Sequence, residues 1–551
     1  MGRLLGALMG ASFFLWIAGT RALDPGEIGW LMRYDWPIHF FGWHFFRSEP
    51  WHFPPGLLDS YYTPIGTAIG FTDSIPLVAF ALKPFSNRLP ATFQYIGPWL
   101  CLCFTLQGAF GAWLMSQWTP RAWVQATGAA FFVLVPALLI RIGHPSLCAH
   151  WLLLWALAIA VRDSQRPVRP IEWAALGLVA GLVHPYLAVM VLALLAAVVV
   201  RPSATAWPRK AASLAGAAGA TIAGWWAAGL FSVSGAEAMA TEGLGHYSMN
   251  LFSPITQAGW SQFLPDIPRA TAGQDFEGFQ YLGLGGLLLL IAAVVVRLSG
   301  VGRGVAVASA SRPWRGFGAP LFLIAILMAM FALSPRVTAA GGLLVDLSGP
   351  WAERFAVFRA TGRFFWPLGY LLMASALATI ATRLPSRVAL TVLLTLVVVQ
   401  ALDLHGAHEE RRRGARDPNF YVWANPMVSP VWGQVLPAYN HLVIYPPPQC
   451  GPAPVAWEPA AYQAGLHGLT LNAGGVARPD DAARLAYCHD LGEQVKAGRL
   501  DPQSLYIVSP SEVGAIRQAA QPPAVCGSID TVSVCVTAES YQRWRDLAPL
   551  Q

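Results

Sequence analysis

Ile171-Glu172-Trp173-Ala174-Ala175-Leu176-Gly177-Leu178-Val179-Ala180-Gly181-Leu182-Val183-His184-Pro185-Tyr186-Leu187-Ala188-Val189-Met190-Val191-Leu192-Ala193-Leu194-Leu195-Ala196-Ala197-Val198-Val199-Val200-Arg201 is an apolar run interrupted by one His-Pro pair. Crossing about 30 Å of hydrocarbon takes roughly 20 residues of helix, so the run is too long for one span. Pro185 removes a backbone donor and disfavours helical geometry at His184. The spacing predicts two short spans, 171–183 and 185–201. Working outward, further apolar stretches lie near 3–20, 92–117, 122–141, 147–162, 210–231, 280–297, 317–334, 364–382 and 386–402. The chain has 551 residues, 55% hydrophobic and 12% charged, with a mean hydropathy of +0.47. A soluble domain of that composition would aggregate, whereas a polytopic membrane protein is built that way. The expected fold class is an α-helical polytopic membrane protein with about eleven transmembrane helices, followed by a soluble domain.

Charge placement supplies the orientation, because short cytoplasmic loops accumulate Lys and Arg. With the N-terminus inside, the cytoplasmic turns collect Arg3, Arg121, Arg162, Arg166, Arg169, Arg201, Arg209, Lys210, Arg297, Arg303, Arg312, Arg315, Arg383 and Arg387, against two acids, Asp163 and Glu172. The other carboxylates fall in outside loops or in the C-terminal tail, among them Asp24, Glu27, Asp35, Glu49, Asp59, Asp73, Glu237, Glu242, Asp266, Asp275, Glu277, Asp346 and Glu353. The expected location is a bacterial inner membrane, multi-pass, with the N-terminus cytoplasmic and the C-terminal domain periplasmic. Residues 1–22 also carry the marks of a secretory signal; a retained anchor is preferred, since it tethers the loop that follows. The net charge of +7 is scattered through cytoplasmic turns, with no basic stripe interleaved with aromatics, so nucleic acid is not an expected partner.

The membrane module is expected over 1–402, with outer loops 21–91, 232–279 and 335–363. Within the first loop the stretch 75–85 is apolar but too short to span, and is expected to lie in the membrane interface. After 402 the composition changes, with fourteen acids against eleven Lys and Arg in 403–551. Strand-like runs (His441 to Tyr445, Ser504 to Val508) alternate there with a helical one (Ser511 to Ala520), which reads as a soluble α/β domain able to bury its own core. Four cysteines, Cys450, Cys488, Cys526 and Cys535, lie in this domain; on an outer face they permit disulfides, in any of three pairings. The lack of a C-x-x-C pair argues against zinc. Cys101, Cys103 and Cys148 read as small core residues.

The long first outside loop with an acid soon after the first span, the spans broken at His-Pro and the soluble C-terminal domain together resemble the GT-C superfamily of polytopic membrane glycosyltransferases. The runs Trp43 to Gly56, Phe71-Thr72-Asp73-Ser74-Ile75-Pro76-Leu77, Arg141-Ile142-Gly143-His144-Pro145 and Gly362-Arg363-Phe364-Phe365-Trp366-Pro367 are similar to an uncharacterised family of bacterial inner-membrane proteins placed near it. The resemblance covers most of the chain. It implies a GT-C-like module that transfers sugar from a polyprenyl-phosphate donor to an envelope glycan or protein acceptor on the outer face.

That chemistry needs a carboxylate to take the acceptor proton and cations to receive the lipid phosphate. Asp35, in the aromatic run Tyr34 to Arg47, is the first candidate base, and Asp73 the second. Their structural alternative is helix capping ahead of Trp36-Pro37 and Ser74-Ile75-Pro76. Many members of the superfamily have an adjacent acidic pair here, which this chain lacks. The expected substrate-binding residues are His39, Arg141, His144, His184, Arg359 and Arg363. Arg359 and Arg363 stand four apart and would share a helical face; their alternative is snorkelling beside Glu353. His184 could equally be a helix end satisfied by backbone. Trp36, Trp43 and Trp51 could stack on sugars, although interfacial anchoring is the default for such residues.

No Walker loop, Gly-x-Ser-x-Gly elbow or His-Glu-x-x-His helix is present. Gly283-Leu284-Gly285-Gly286 reads as close helix packing, and Glu409 to Arg413 as a self-paired surface segment. No cofactor is expected, although outer-loop carboxylates could serve a divalent metal. Two rival functions remain: a transporter or flippase of lipid-linked saccharides, and a non-catalytic envelope-assembly protein. The first would need a second Pro-broken pair related by inverted repeat, and 171–201 has no such copy.

Overall fold

The computed structural model describes all residues except 204, 233–243, 301–312, 452–454, 521–522, 548–549 and 551. The expected carboxylates Glu237 and Glu242 and the arginines Arg303 and Arg312 therefore lie outside the described residues. Two compact units emerge: unit 1 comprises 1–24, 95–224 and 240–420, and unit 2 comprises 25–94, 225–239 and 421–551. Residues 25–94 pack with the C-terminal sheet domain, and the helix His405–Arg416 packs with the apolar helices, His408 meeting Phe13 edge-on at 5.3 Å.

Unit 1 is helical. Four of its helices are long and apolar enough to cross a membrane: Ile96–Met115, Pro145–Arg162, Thr361–Arg383 and Ser386–Asp403. A fifth span is formed if Ala122–Val133 and Pro136–Gly143, bent by 55°, count as one. The remaining apolar stretches are helical but short, among them Gly2–Ala18, Pro170–Val183, Pro185–Val200 and Leu284–Leu298. Among the described residues, four of the expected eleven spans reach that length as unbroken apolar helix, or five with the bent pair. The cause is punctuation: at about 1.5 Å per residue, Pro170–Val183 falls short of the hydrocarbon thickness once Pro185 ends it. His184 is extended (φ −163°, ψ 133°), as the residue before proline should be, and its Nδ1 accepts from Tyr186 N to start the second half-helix.

Polar contacts fix how these helices begin and end. Asp163 and Glu172, the two acids of the predicted cytoplasmic turns, both pair with Arg162, and Asp163 also accepts from Trp173 Nε1 at 3.1 Å. Leu284–Leu298 begins against Ser386–Asp403, where buried Asp403 accepts from Leu284 N at 2.9 Å and Tyr281 OH at 2.7 Å. Gln400 accepts from Gly286 N at 2.9 Å. A Cβ on Gly285 would stand 2.3 Å from Leu396 O, so the glycine cluster does serve close packing. Glu409 and Arg412 pair with each other, while Arg411 lies 3.8 Å over the Trp260 ring.

Unit 2 joins the first loop to a five-stranded sheet. The strand order is Thr470–Leu471, His441–Tyr445, Ser504–Val508, Val532–Thr537, Ala524–Ile529. The first three run parallel and the last two antiparallel. The parallel connections are carried by the helices Glu458–His467 and Asp481–Lys496, as parallel pairing requires. The antiparallel pair closes through Asp530-Thr531, with Asp530 at φ 54°, a two-residue hairpin. The disulfides are Cys450–Cys488 and Cys526–Cys535, one of the three pairings left open by spacing. Cys103 and Cys148 are buried and Cys101 half-buried.

The first loop enters this domain through aromatic packing. In the helix Trp36–Phe46, His44 stacks on Tyr462 (5.7 Å, interplanar 7°) and Phe41 meets Trp457 edge-on. Tyr61 OH accepts from Gly475 N at 2.9 Å. Trp36 and Trp43 are therefore core residues, Trp43 donating to Phe93 O, whereas Trp51 is exposed. Arg47 donates to the carbonyls of Ser86, Leu89, Pro90 and Ala91, which fixes the end of the loop.

Candidate functional site

Three irregular turns of unit 1 place charged side chains on one another. Pro136 interrupts the helix that starts at Ala122, and the 3-10 turn Ile140–Gly143 that follows presents Arg141, 1% exposed. Glu277 follows the turn Ala272–Asp275, and Arg363 lies in the turn Thr361–Phe365 that opens the helix Trp366–Arg383. Glu277 accepts from Arg363 through both oxygens, the Nε–Oε2 bond measuring 2.7 Å, and from Arg141 Nη1 at 2.6 Å. Arg141 also donates to Phe276 O and lies 4.4 Å over the Phe276 ring. Arg363 lies 4.7 Å over Tyr186, and His144 Nε2 stands 3.7 Å from Glu277 Oε1. Burial on its own would raise the Glu277 pKa, but the guanidiniums of Arg363 and Arg141 outweigh it and hold the carboxyl well below its usual range.

The cluster thus gathers two guanidiniums and an imidazole around one carboxylate. Removing one member of such a group leaves a buried charge without its counter-ion. His144 is its partly exposed member, and both arginines are buried. Beyond it, Gln280 donates to Gly362 O at 2.8 Å, and Gln280, Trp366 and Tyr370 line a cavity of about 20 Å³, room for one water. His184 is engaged at the start of its helix. Arg359 is exposed and shares no helical face with Arg363, because the chain leaves helical geometry at Ala360 (φ −92°, ψ 65°).

Unit 2 holds Asp35, His39 and Asp73. Asp35 is exposed and precedes the helix Trp36–Phe46, yet its side chain makes no capping bond. Asp73 is half-buried, with Oδ2 3.8 Å from Nδ1 of the buried His39. Its turn is rigid: Thr72 Oγ1 donates to Ile69 O, and Ser74 Oγ donates to His39 O at 2.7 Å. Both Asp73 (φ 53°) and Ile75 (φ 48°) adopt left-handed backbone, costly for non-glycine residues and concentrated at functional sites. Gly42 makes room for this turn, since a Cβ there would lie 2.1 Å from Thr72 Oγ1.

The family profile described as "Domain of unknown function (DUF6311)" matches residues 7–405, and that of the "DUF6311 C-terminal domain" matches 431–537. The chain belongs to the DUF6311 family. No curated protein matches it. Among solved structures, the chain is similar to the oligosaccharyltransferase of Archaeoglobus fulgidus, crystallised in complex with Zn and sulfate. The identity is 11%, over 96% of this chain and 72% of that one, with a TM-score of 0.34, a likeness too loose to carry an argument.

Of the expected site residues in this DUF6311 chain, Arg141, His144 and Arg363 come together in unit 1, and His39 and Asp73 in unit 2. Glu277 was not singled out from the sequence, where it is one outer-loop acid among many. In unit 2, Glu49, His52 and Asp59 each bring one ligand atom to within 4.8 Å of the others. Glu49 already accepts from Asp59 N, Ser60 N and the Ser60 hydroxyl, so its carboxylate is committed to the turn.

Proposed function

We propose that this chain is an integral membrane glycosyltransferase of the bacterial inner membrane. It moves a sugar from a polyprenyl-phosphate donor to an envelope glycan or protein on the periplasmic face. The observation that carries the reading is the Arg141–Glu277–Arg363 cluster with His144, set at the ends of apolar helices, where a lipid phosphate would be presented. Arginine forks match phosphate oxygens in pairs. The cluster would hold the donor phosphate and stabilise the charge it gains as the bond to the sugar breaks.

In that reaction the acceptor oxygen attacks the anomeric carbon, the carbon–oxygen bond to phosphate breaks, and polyprenyl phosphate leaves with the bonding electrons. The acceptor proton passes to a carboxylate. Asp73 suits this better than Asp35, because its turn is held by Thr72 and Ser74 and His39 lies beside it. Glu277 is unsuited, since its partners keep it ionised and occupied. The test is turnover: purified protein given radiolabelled polyprenyl-phosphate sugar should release polyprenyl phosphate, and Asp73→Asn should stop the release while Asp35→Asn retains it. Loss in Asp35→Asn alone would transfer the role to Asp35, and absence of release from the unaltered protein with lipid-linked sugars would sink the reading.

A further inference from the structure

Residues 336–346 of unit 1 form a two-stranded hairpin, Arg336–Ala339 with Gly342–Asp346. Its root is firmly held. Thr338 is buried and its Oγ1 accepts from Gln274 Nε2 at 2.7 Å. Asn250 Nδ2 donates to Ala340 O at 2.8 Å, and Leu251 N to Thr338 O at 2.9 Å. The second strand has the opposite character, every residue of it being exposed. Successive strand residues point to opposite faces, so Leu343, Leu344 and Val345 make both faces apolar. Leu347, Trp351 and Phe355 follow, and all six side chains are between 43% and 59% exposed. A rigidly mounted apolar strand left in water would invite aggregation, and a patch of this kind marks an interaction surface.

We propose that residues 336–359 sit in the headgroup–acyl boundary of the bilayer and bind anionic phospholipid there. Continuity is the first argument. The hairpin follows the apolar helix Phe317–Ala332, whose exposed side carries Leu323, Leu327 and Met330, and it leads into the span Thr361–Arg383. The exposed apolar side of that helix therefore runs on into the hairpin. Charge is the second. Arg354 and Arg359 are exposed in the same segment, placed to meet headgroup phosphates, while Arg336 is engaged with Asp346 at 3.7 Å. The backbone settles the depth: the ribbon has only two strands, so its outer edge needs water and cannot enter the hydrocarbon core. Trp351 belongs to the residue type that favours this boundary.

Full-length protein reconstituted in vesicles, with a phospholipid carrying a photoreactive diazirine on its acyl chain, tests the placement. Peptide mapping should find label on 342–355 as well as on the helix Phe317–Ala332. In vesicles containing phosphatidylglycerol the segment's labelling should exceed that in phosphatidylcholine alone. Arg354→Gln and Arg359→Gln should each remove about fivefold of that excess, while helix labelling stays constant and reports intact insertion. A segment left unlabelled beside a labelled helix overturns the proposal, whether water or a second copy covers it. Equal labelling in the two lipid compositions overturns the anionic-headgroup assignment.

Discussion

Glu277 in unit 1 and Asp73 in unit 2 are both outer-loop acids by sequence, yet they meet opposite surroundings. Glu277 is enclosed by Arg141, Arg363 and His144, which hold it ionised and use its oxygens. Asp73 projects from a strained turn with an imidazole nearby and part of its surface open. A carboxylate held between two guanidiniums is an electrostatic support, whereas a half-buried one on a rigid turn beside an imidazole is within reach of solvent. Burial and partners, and not distance along the chain, set the two carboxylates apart.

The largest effect should come from breaking the support. Glu277→Gln leaves two guanidiniums buried without their counter-ion, and Arg363→Gln removes two of the carboxylate's three charged hydrogen bonds. Each should cost about 3–5 kcal/mol, read as a large fall in the unfolding temperature of the detergent-purified protein. A Glu277→Gln protein of unchanged stability would mean that the cluster is not the support of unit 1.

Unit 2 should instead show its electrostatics through pH. Burial against Tyr462 lowers the His44 pKa from 6.5 to about 4, with the Tyr462 carbonyl partly opposing this and Arg47 adding to it. The fold therefore prefers neutral His44. Its contribution is complete above pH 6.5 and declines as pH falls towards 4, because the unfolded chain takes up the proton first. The loss should amount to about 3 kcal/mol. A His44→Phe variant, keeping the stack on Tyr462, should lack this part of the acid slope in thermal unfolding between those pH values.

Asp73→Asn follows. Removing a general base typically costs about a hundredfold or more in turnover, and the isosteric amide should leave unfolding unaltered. A matched fall in turnover and stability would assign Asp73 to the turn and not to chemistry.

Local signals in the sequence carried much of this fold. The His184-Pro185 break, the helical character of the apolar stretches and the strands His441–Tyr445 and Ser504–Val508 follow from proline chemistry and hydrophobic pattern. What was not legible depends on distance. Glu277 lies 136 residues from Arg141 and 86 from Arg363, so no spacing rule joins them. The packing of 25–94 with the C-terminal sheet rests on contacts such as His44 with Tyr462, 418 residues away. Arg359 and Arg363 do not share a face for a local reason: a spacing of four does so only in a helix, and the backbone at Ala360 is not helical. Of the candidate site, residue types were readable, but which of them meet was not.

The smallest effects sharpen the same contrast at two helix starts. Asp403 is fully buried and serves Leu284 N, Tyr281 OH and Ser261 Oγ, so one carboxylate joins a neighbouring helix and a loop of unit 1. Asp480 of unit 2 caps its own helix by accepting from Ala483 N at 3.0 Å. Asp403→Asn keeps the shape but loses the charge at the helix N-terminus, for about 1–2 kcal/mol. Asp480→Ala loses one cap bond, for about 1 kcal/mol. Salt separates them further: the buried site should keep its effect as ionic strength rises, while the more accessible cap should lose part of its charge contribution. Equal salt sensitivity in thermal unfolding of the two variants would show that burial does not shelter Asp403, and with it would go the reason for treating the buried carboxylates of unit 1 as supports.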